Sequence, residues 1–310
     1  MNTKTILRAE CGFAAAFATI LLALNSANAV SSKEGDWQSQ AISPVGNPIL
    51  FEDPRIYTEL HPVYMHHILP GTFGFKGGSV ALGGSVDVVA AQIRVKLTDR
   101  LALIATKDGY IAFRPDNTLN HAYGWADLAT GLKYALVDDR DNQLIVTPGF
   151  TVTVPTGNER VFQGHGKGVE NIFVSAEKGW DNFHVTGNLG ALIPNDFDTQ
   201  TAQLHFSLQL DYAFCQYFIP FFVANGYTVL SNSKSQTSQS LNAVPLNAEG
   251  YDLINFGASD ARGVTQITVG GGARCKVTKN IDIGAAYEVG ATSPKGIFDS
   301  RVTADVSLHF

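Results

Sequence analysis

Several stretches of the chain alternate apolar and polar side chains, residue by residue. The cleanest is AQLHFSLQLDY. It sets Ala202, Leu204, Phe206, Leu208, Leu210 and Tyr212 against Gln203, His205, Ser207, Gln209 and Asp211. VVAAQIRVKL places Val89, Ala91, Ile93, Val95 and Leu97 on one face, with Gln92, Arg94 and Lys96 on the other. WADLATGLKYAL, FHVTGNLGALI, IDIGAAYEV and the final RVTADVSLHF repeat the pattern. Successive side chains of a strand point to opposite faces, so period two over such lengths predicts strands with one greasy and one polar face. With weaker cases, eleven strands are expected from residue 84 onward.

The connections between them follow a rule. Short turns fall at LTDRL, DDRDN, KGWDN, FCQY and VTKN. Between these come longer loops near 107–124, 155–168, 194–201, 231–262 and 292–299. Strict alternation of short and long puts all short turns at one end of the sheet. Outer-membrane β-barrels have this layout, with short periplasmic turns, long outer loops and strands of about 10 residues. Lipid offers no partner to an open sheet edge, so such a sheet closes on itself. A secreted β-sandwich also alternates, but it accounts neither for the turn rule nor for the strand lengths. The fold class expected is therefore all-β: a transmembrane antiparallel up-and-down barrel in contact with outer-membrane lipid. Tyr134, Phe150, Phe183, Tyr212, Phe221 and Phe310 sit near strand ends, where interfacial aromatic girdles belong. Strand parity requires one more rising strand, near Phe73–Leu82 or earlier, making twelve.

The beginning of the chain reads differently. Lys4 and Arg8 precede the apolar run Phe13–Leu24, and Ala27-Asn28-Ala29 is a small-x-small site. Residues 1–29 are expected to be a signal peptide cleaved after Ala29. Residues 30–71 are irregular and proline-rich, and are expected to pack into the periplasmic mouth as a plug. The barrel is assigned to residues 72–310. The long loop 231–262 holds an apolar patch, YDLINFG, and either caps the mouth or lies on the surface.

Composition agrees with this picture. The 310 residues are 45% hydrophobic and only 16% charged, with a net charge of −6. An acidic chain of this kind argues against a nucleic-acid partner, which a basic face would serve. If the apolar faces meet lipid, the inward set includes Arg94, Lys96, Asp127, Lys133, His184, His205, Asp211, Arg274, Asp282, Glu288, Arg301 and Asp305. These are the candidate pore-lining residues. Both signs are present, so they form either a network of wall ion pairs or a selectivity constriction. Cys215 and Cys275 share an oxidising compartment and either bridge or stay free. His61, His66 and His67 lack the Cys or carboxylate spacing of a metal site. QGHGKG opens no helix and is no phosphate cradle. No G-x-S-x-G occurs, no cofactor is implied and no catalytic residue is assigned.

LTDRLALIATKDGY, GWADLATGLKYALVDD and VPTGNERVFQGHGKG, together with the terminal RVTADVSLHF, resemble the meta-pathway of phenol degradation family of bacterial outer-membrane β-barrel proteins. The resemblance runs over most of residues 50–310. It implies passage of aromatic or other small hydrophobic compounds across the cell outer membrane and brings no binding residues. In such barrels a final aromatic like Phe310 resembles the signal read by the barrel assembly machinery. The expected function is an outer-membrane channel or transporter for small molecules. A barrel hydrolase and a structural barrel with a blocked lumen are the alternatives.

Overall fold

A computed structural model describes residues 37–234 and 245–310. The expected signal peptide, including Cys11, lies outside the described residues. The strands are β1 (Glu59–Ile68), β2 (Thr72–Phe75), β3 (Gly78–Ala81), β4 (Gly84–Lys96), β5 (Leu101–Lys107) and β6 (Tyr110–Pro115). Next come β7 (Ala122–Trp125), β8 (Leu128–Tyr134), β9 (Val137–Asp139), β10 (Leu144–Val154), β11 (Val169–Trp180) and β12 (Phe183–Pro194). The last are β13 (Gln203–Tyr212), β14 (Ile219–Val229), β15 (Thr265–Lys276), β16 (Ile281–Gly290) and β17 (Ser300–His309).

Twelve of these strands form one closed antiparallel barrel. The last strand, β17, pairs with β1 in the register Leu60↔Leu308 to Ile68↔Ser300. β1 in turn pairs with β4, from Glu59↔Arg94 to Ile68↔Ser85, and the ring is complete. The RVTADVSLHF stretch is thus no exposed edge.

The first strand lies earlier than residues 73–82. Those residues form a separate two-stranded hairpin, β2–β3, on the outer side, and the barrel begins at Glu59 instead of residue 72. The stretch 107–124 is less loop than expected. β6 and β7 carry the third and fourth staves of the wall outward past breaks at Asp108–Gly109 and Ala126–Asp127.

Alternation sets the two faces as expected along most strands. In β13, Gln203, His205, Gln209 and Asp211 are buried inside, while Phe206 and Leu208 are exposed on the lipid side. Tyr134, Phe150, Phe183 and Tyr212 likewise face outward. Phe221 does not. Its strand reads IPFFVA, apolar on both faces, and the register turns Phe222 to lipid and Phe221 inward. There its ring packs over Gly272, where a Cβ would come within 2.7 Å of it. The two cysteines are free. Cys215 is in the β13–β14 turn, and Cys275 alternates with inward Arg274 and so shares the outward register of β15.

Candidate functional site

The lower half of the lumen is filled by residues 37–58. They enter at the short-turn end, where Lys276 Nζ donates to the carbonyls of Ser39 and Ala41 and Gln38 bonds to Asp138. Pro44, Pro48 and Pro54 remove backbone donors and fix φ, which keeps this stretch out of any sheet. It climbs to a turn at Asn47, whose φ of 52° is the left-handed region that asparagine tolerates. Asn47 Nδ2 donates to Ser207 Oγ at 3.0 Å, and Phe51 N closes the turn on Asn47 O. The chain then descends to β1, making a hairpin inside the barrel.

Wall side chains take up the backbone carbonyls that no sheet satisfies. Gln92 donates to Pro48 O at 2.6 Å, Ser175 to Glu52 O at 2.7 Å, Lys133 to Asp53 O at 2.6 Å and Thr147 to Pro54 O at 2.6 Å. Ile42, Val45 and Phe51 cover Ile219, Phe221 and Val223. The strongest tie is ionic. Glu52 meets Arg94 at 2.7 Å and Lys133 at 2.7 Å, and all three are buried. Removing one partner of such a pair leaves an uncompensated charge out of water, at a cost of about 3–5 kcal/mol.

The other inward residues fall into local pairs. Arg94 also holds Glu59 at 2.7 Å. Arg274 and His61 share Asp305 at 2.8 and 2.9 Å. Arg301 joins Glu288 to Asp252, both at 2.8 Å. His184 bonds to Asp211 at 2.9 Å and His205 to Asn171 at 2.8 Å. Asp282 lies 3.3 Å from His309. Lys96 sits at the turn and pairs with Asp99. Asp127 accepts from the N–H groups of Gly157 and Gly164 and anchors the 155–168 loop. Among the described residues His184 Nε2 has no hydrogen-bond partner, so none of their hydroxyls completes a His–Asp relay there. His61, His66 and His67 are separated in use: His66 bonds to Asp87, and His67 is buried edge-on to Phe298. Among the described residues no cluster of His, Cys, Asp or Glu could hold a metal ion.

Sequence reasoning missed Glu52, Glu59 and Asp252, the acidic partners of these arginines. Glu52 belongs to FEDPR, a charged knot in a proline-rich stretch of no evident periodicity. That knot is the one signal that could have exposed it.

One side of the outer half of the lumen is apolar, while Gln203, Gln266, Thr268, Glu288 and Arg301 are buried on the other. Val63, Met65, Val86, Val88, Ile111 and Phe113 face inward from the wall and pack against Leu246, Leu253, Ile254 and Phe256. The latter belong to the end of the long loop, so the YDLINFG patch caps the mouth from within. Burying each such side chain contributes about 1.5–3 kcal/mol. The Asp252–Arg301 pair ties this cap to β17. Glu249 fastens it internally, accepting from the N–H groups of Phe256 and Ala258 and from Thr201 Oγ1. Burial pushes the Glu249 carboxyl up to about 7, against the pull of those donors. Between hairpin apex and cap lies a cavity of about 50 Å³, bounded by Leu50 below and Leu253 and Ile254 above.

A family model described as "Putative MetA-pathway of phenol degradation" matches residues 59–302. The match begins with the first residue of β1 and leaves out the lumen hairpin. Among solved structures, the chain is similar to the COG4313 outer membrane channel from Pseudomonas putida F1. The two share 17% identity over 87% of this chain and 100% of that one, with a TM-score of 0.58. Similarity to the NanC porin is weaker, at 9% identity over 82% of this chain and 100% of that one, with a TM-score of 0.49. No curated protein matches.

Proposed function

The chain belongs to the family described as "Putative MetA-pathway of phenol degradation", and on that premise we propose that it is an outer-membrane channel for small hydrophobic or aromatic molecules. One observation carries this reading. The lumen has an apolar wall on one side of its outer half, built by β1, β4 and β6, and is stoppered below by a hairpin that the wall holds through hydrogen bonds and ion pairs. Along that wall a sugar or ion would shed water without finding equivalent partners. An apolar solute loses nothing there and gains contact. The hairpin is bound by polar contacts, not by a covalent bond, so its release opens a path to the periplasm.

The test is uptake by whole cells that carry the full-length protein in an intact outer membrane and lack other general porins. Labelled benzyl alcohol is expected to enter several-fold faster than in cells without the protein, and maltose at the same rate with or without it. Equal acceleration of both solutes, or of neither, overturns the proposal.

A further inference from the structure

We infer that Glu177, Thr186 and Gln209 form a site for one monovalent cation of sodium's size, on the inner wall beside the hairpin. The inference goes beyond the channel reading and does not depend on which solute the barrel carries.

The sheet register builds the site. Glu177 on β11 pairs with Thr186 on β12, and Thr186 pairs with Gln209 on β13. The three side chains therefore stand abreast on the lumen face of neighbouring strands. They are 1%, 1% and 0% exposed. Both carboxylate oxygens of Glu177, Thr186 Oγ1 and Gln209 Oε1 have no hydrogen-bond partner among the described residues. Buried acceptors are rarely left so, and four in one row are a feature to be explained. Gln209 gives its amide N–H to Asp211 at 3.4 Å, which leaves its oxygen as the unused end. Asn188, the next inward position above Thr186, repeats the pattern: its nitrogen donates to Ser175 Oγ at 2.9 Å and its oxygen is left over.

The Thr186 hydroxyl has a carboxylate on one side and an amide oxygen on the other, and bonds to neither. These oxygens stand too far apart to share a proton. Cross-strand neighbours have Cβ atoms about 4.5–5.5 Å apart. A hard cation the size of calcium, which sodium matches closely, lies about 2.3–2.6 Å from each oxygen it binds. An ion between the side chains spans the gap that a hydrogen bond does not.

Charge points the same way. Arg55 Nε lies 3.8 Å from Glu177, but all five N–H groups of Arg55 are spent on Asp53, Ser43 Oγ and the carbonyls of Gln38 and Ala41. Asp53, Asp211 and Lys276 are the other charges that act most strongly on Glu177. With Glu177 itself, three carboxylates face two cations. His184 adds no charge: it donates from Nδ1 to Asp211, and an imidazolium would hold a second N–H with no acceptor. One carboxylate is left uncompensated out of water, and one positive charge restores the balance. Water would satisfy the oxygens and leave the charge, and a divalent ion would reverse it. A carboxylate with hydroxyl and amide oxygens is a donor set for a hard cation, unlike the His, Cys, Asp and Glu clusters looked for above.

The test holds the full mature barrel in zwitterionic lipid nanodiscs at pH 8, in sodium chloride or in choline chloride at equal concentration. Sodium is expected to raise by several degrees the temperature at which the compact band is lost on a gel, because it binds the folded state alone and choline is too large to enter. Dialysis of labelled sodium against a choline background, with empty nanodiscs subtracted, is expected to give one ion per barrel. Glu177→Gln is expected to abolish both effects. Thr186→Val, which keeps the shape and folds as a compact band, is expected to bind sodium about tenfold more weakly. Equal stability in the two salts, or no saturable sodium uptake by the unaltered barrel, overturns the inference; a proton kept on Glu177 or water alone would produce this. Uptake undiminished in the variants is adventitious binding elsewhere and overturns it too.

Discussion

Glu52 is where the account is most exposed to a single substitution. Its carboxylate answers two buried cations, Arg94 and Lys133, and it belongs to the hairpin while they belong to the wall. Glu52→Gln keeps the size and removes the charge. The variant is expected to lose about 3–5 kcal/mol, because Lys133 then loses its carboxylate and Arg94 keeps Glu59 alone. The measurement is the temperature at which the folded barrel ceases to migrate as a compact band on a gel, and a fall of several degrees is expected. An unchanged temperature would mean that the hairpin is not held by this pair. At this scale the chain was half legible. The inward cations could be read from alternation, since Arg94, Lys133, Arg274 and Arg301 each sit opposite a lipid-facing residue. Two of their partners, Glu288 and Asp305, could be read the same way, but Glu52 and Asp252 could not, because they come from segments without a period.

Among elements, the cap is one whose stability depends on a raised carboxyl outside the strands, that of Glu249. Burial raises the Glu249 carboxyl to about 7 from an ordinary value of 4.5. A group raised in this way favours the folded cap while protonated. Its contribution is complete below about pH 4.5 and is lost as pH rises through 7. Backbone amides of residues 250–258, corrected for intrinsic exchange, are therefore expected to be better protected at pH 5 than at pH 8. Glu249→Gln is expected to remove that difference, and equal protection of the unaltered protein at both pH values would contradict the assignment. Strands with unlike faces were the legible elements. β1 escaped because ELHPVYMHHI mixes the code: His61 and His67 join Val63 and Met65 inside, while Pro62 and His66 fall outside. Proline has no ladder donor, and the β1–β17 pairing skips His61 and Pro62. β4 hid a different fact. Its inward positions change from Gln92 and Arg94 to Val86 and Val88, so the inner face is apolar in the outer half and polar below. The change of lumen character is written there, but a run of valines reads equally well as a fully buried strand.

At the scale of the whole molecule, the closed sheet is a frame around two stoppers, the hairpin below and the cap above. The central claim is that solutes pass only when the lower stopper yields. A Cβ at Gly46 would lie 2.9 Å from Val223 Cγ1, so cysteines at these two sites fall within disulfide reach. The decisive measurement is benzyl alcohol uptake by cells carrying Gly46→Cys with Val223→Cys, in a background with Cys215 and Cys275 changed to serine, before and after reduction. Uptake is expected to fall to the level of cells lacking the protein while the bond is closed, and to return when it is reduced. Uptake at one rate in both states would contradict the account.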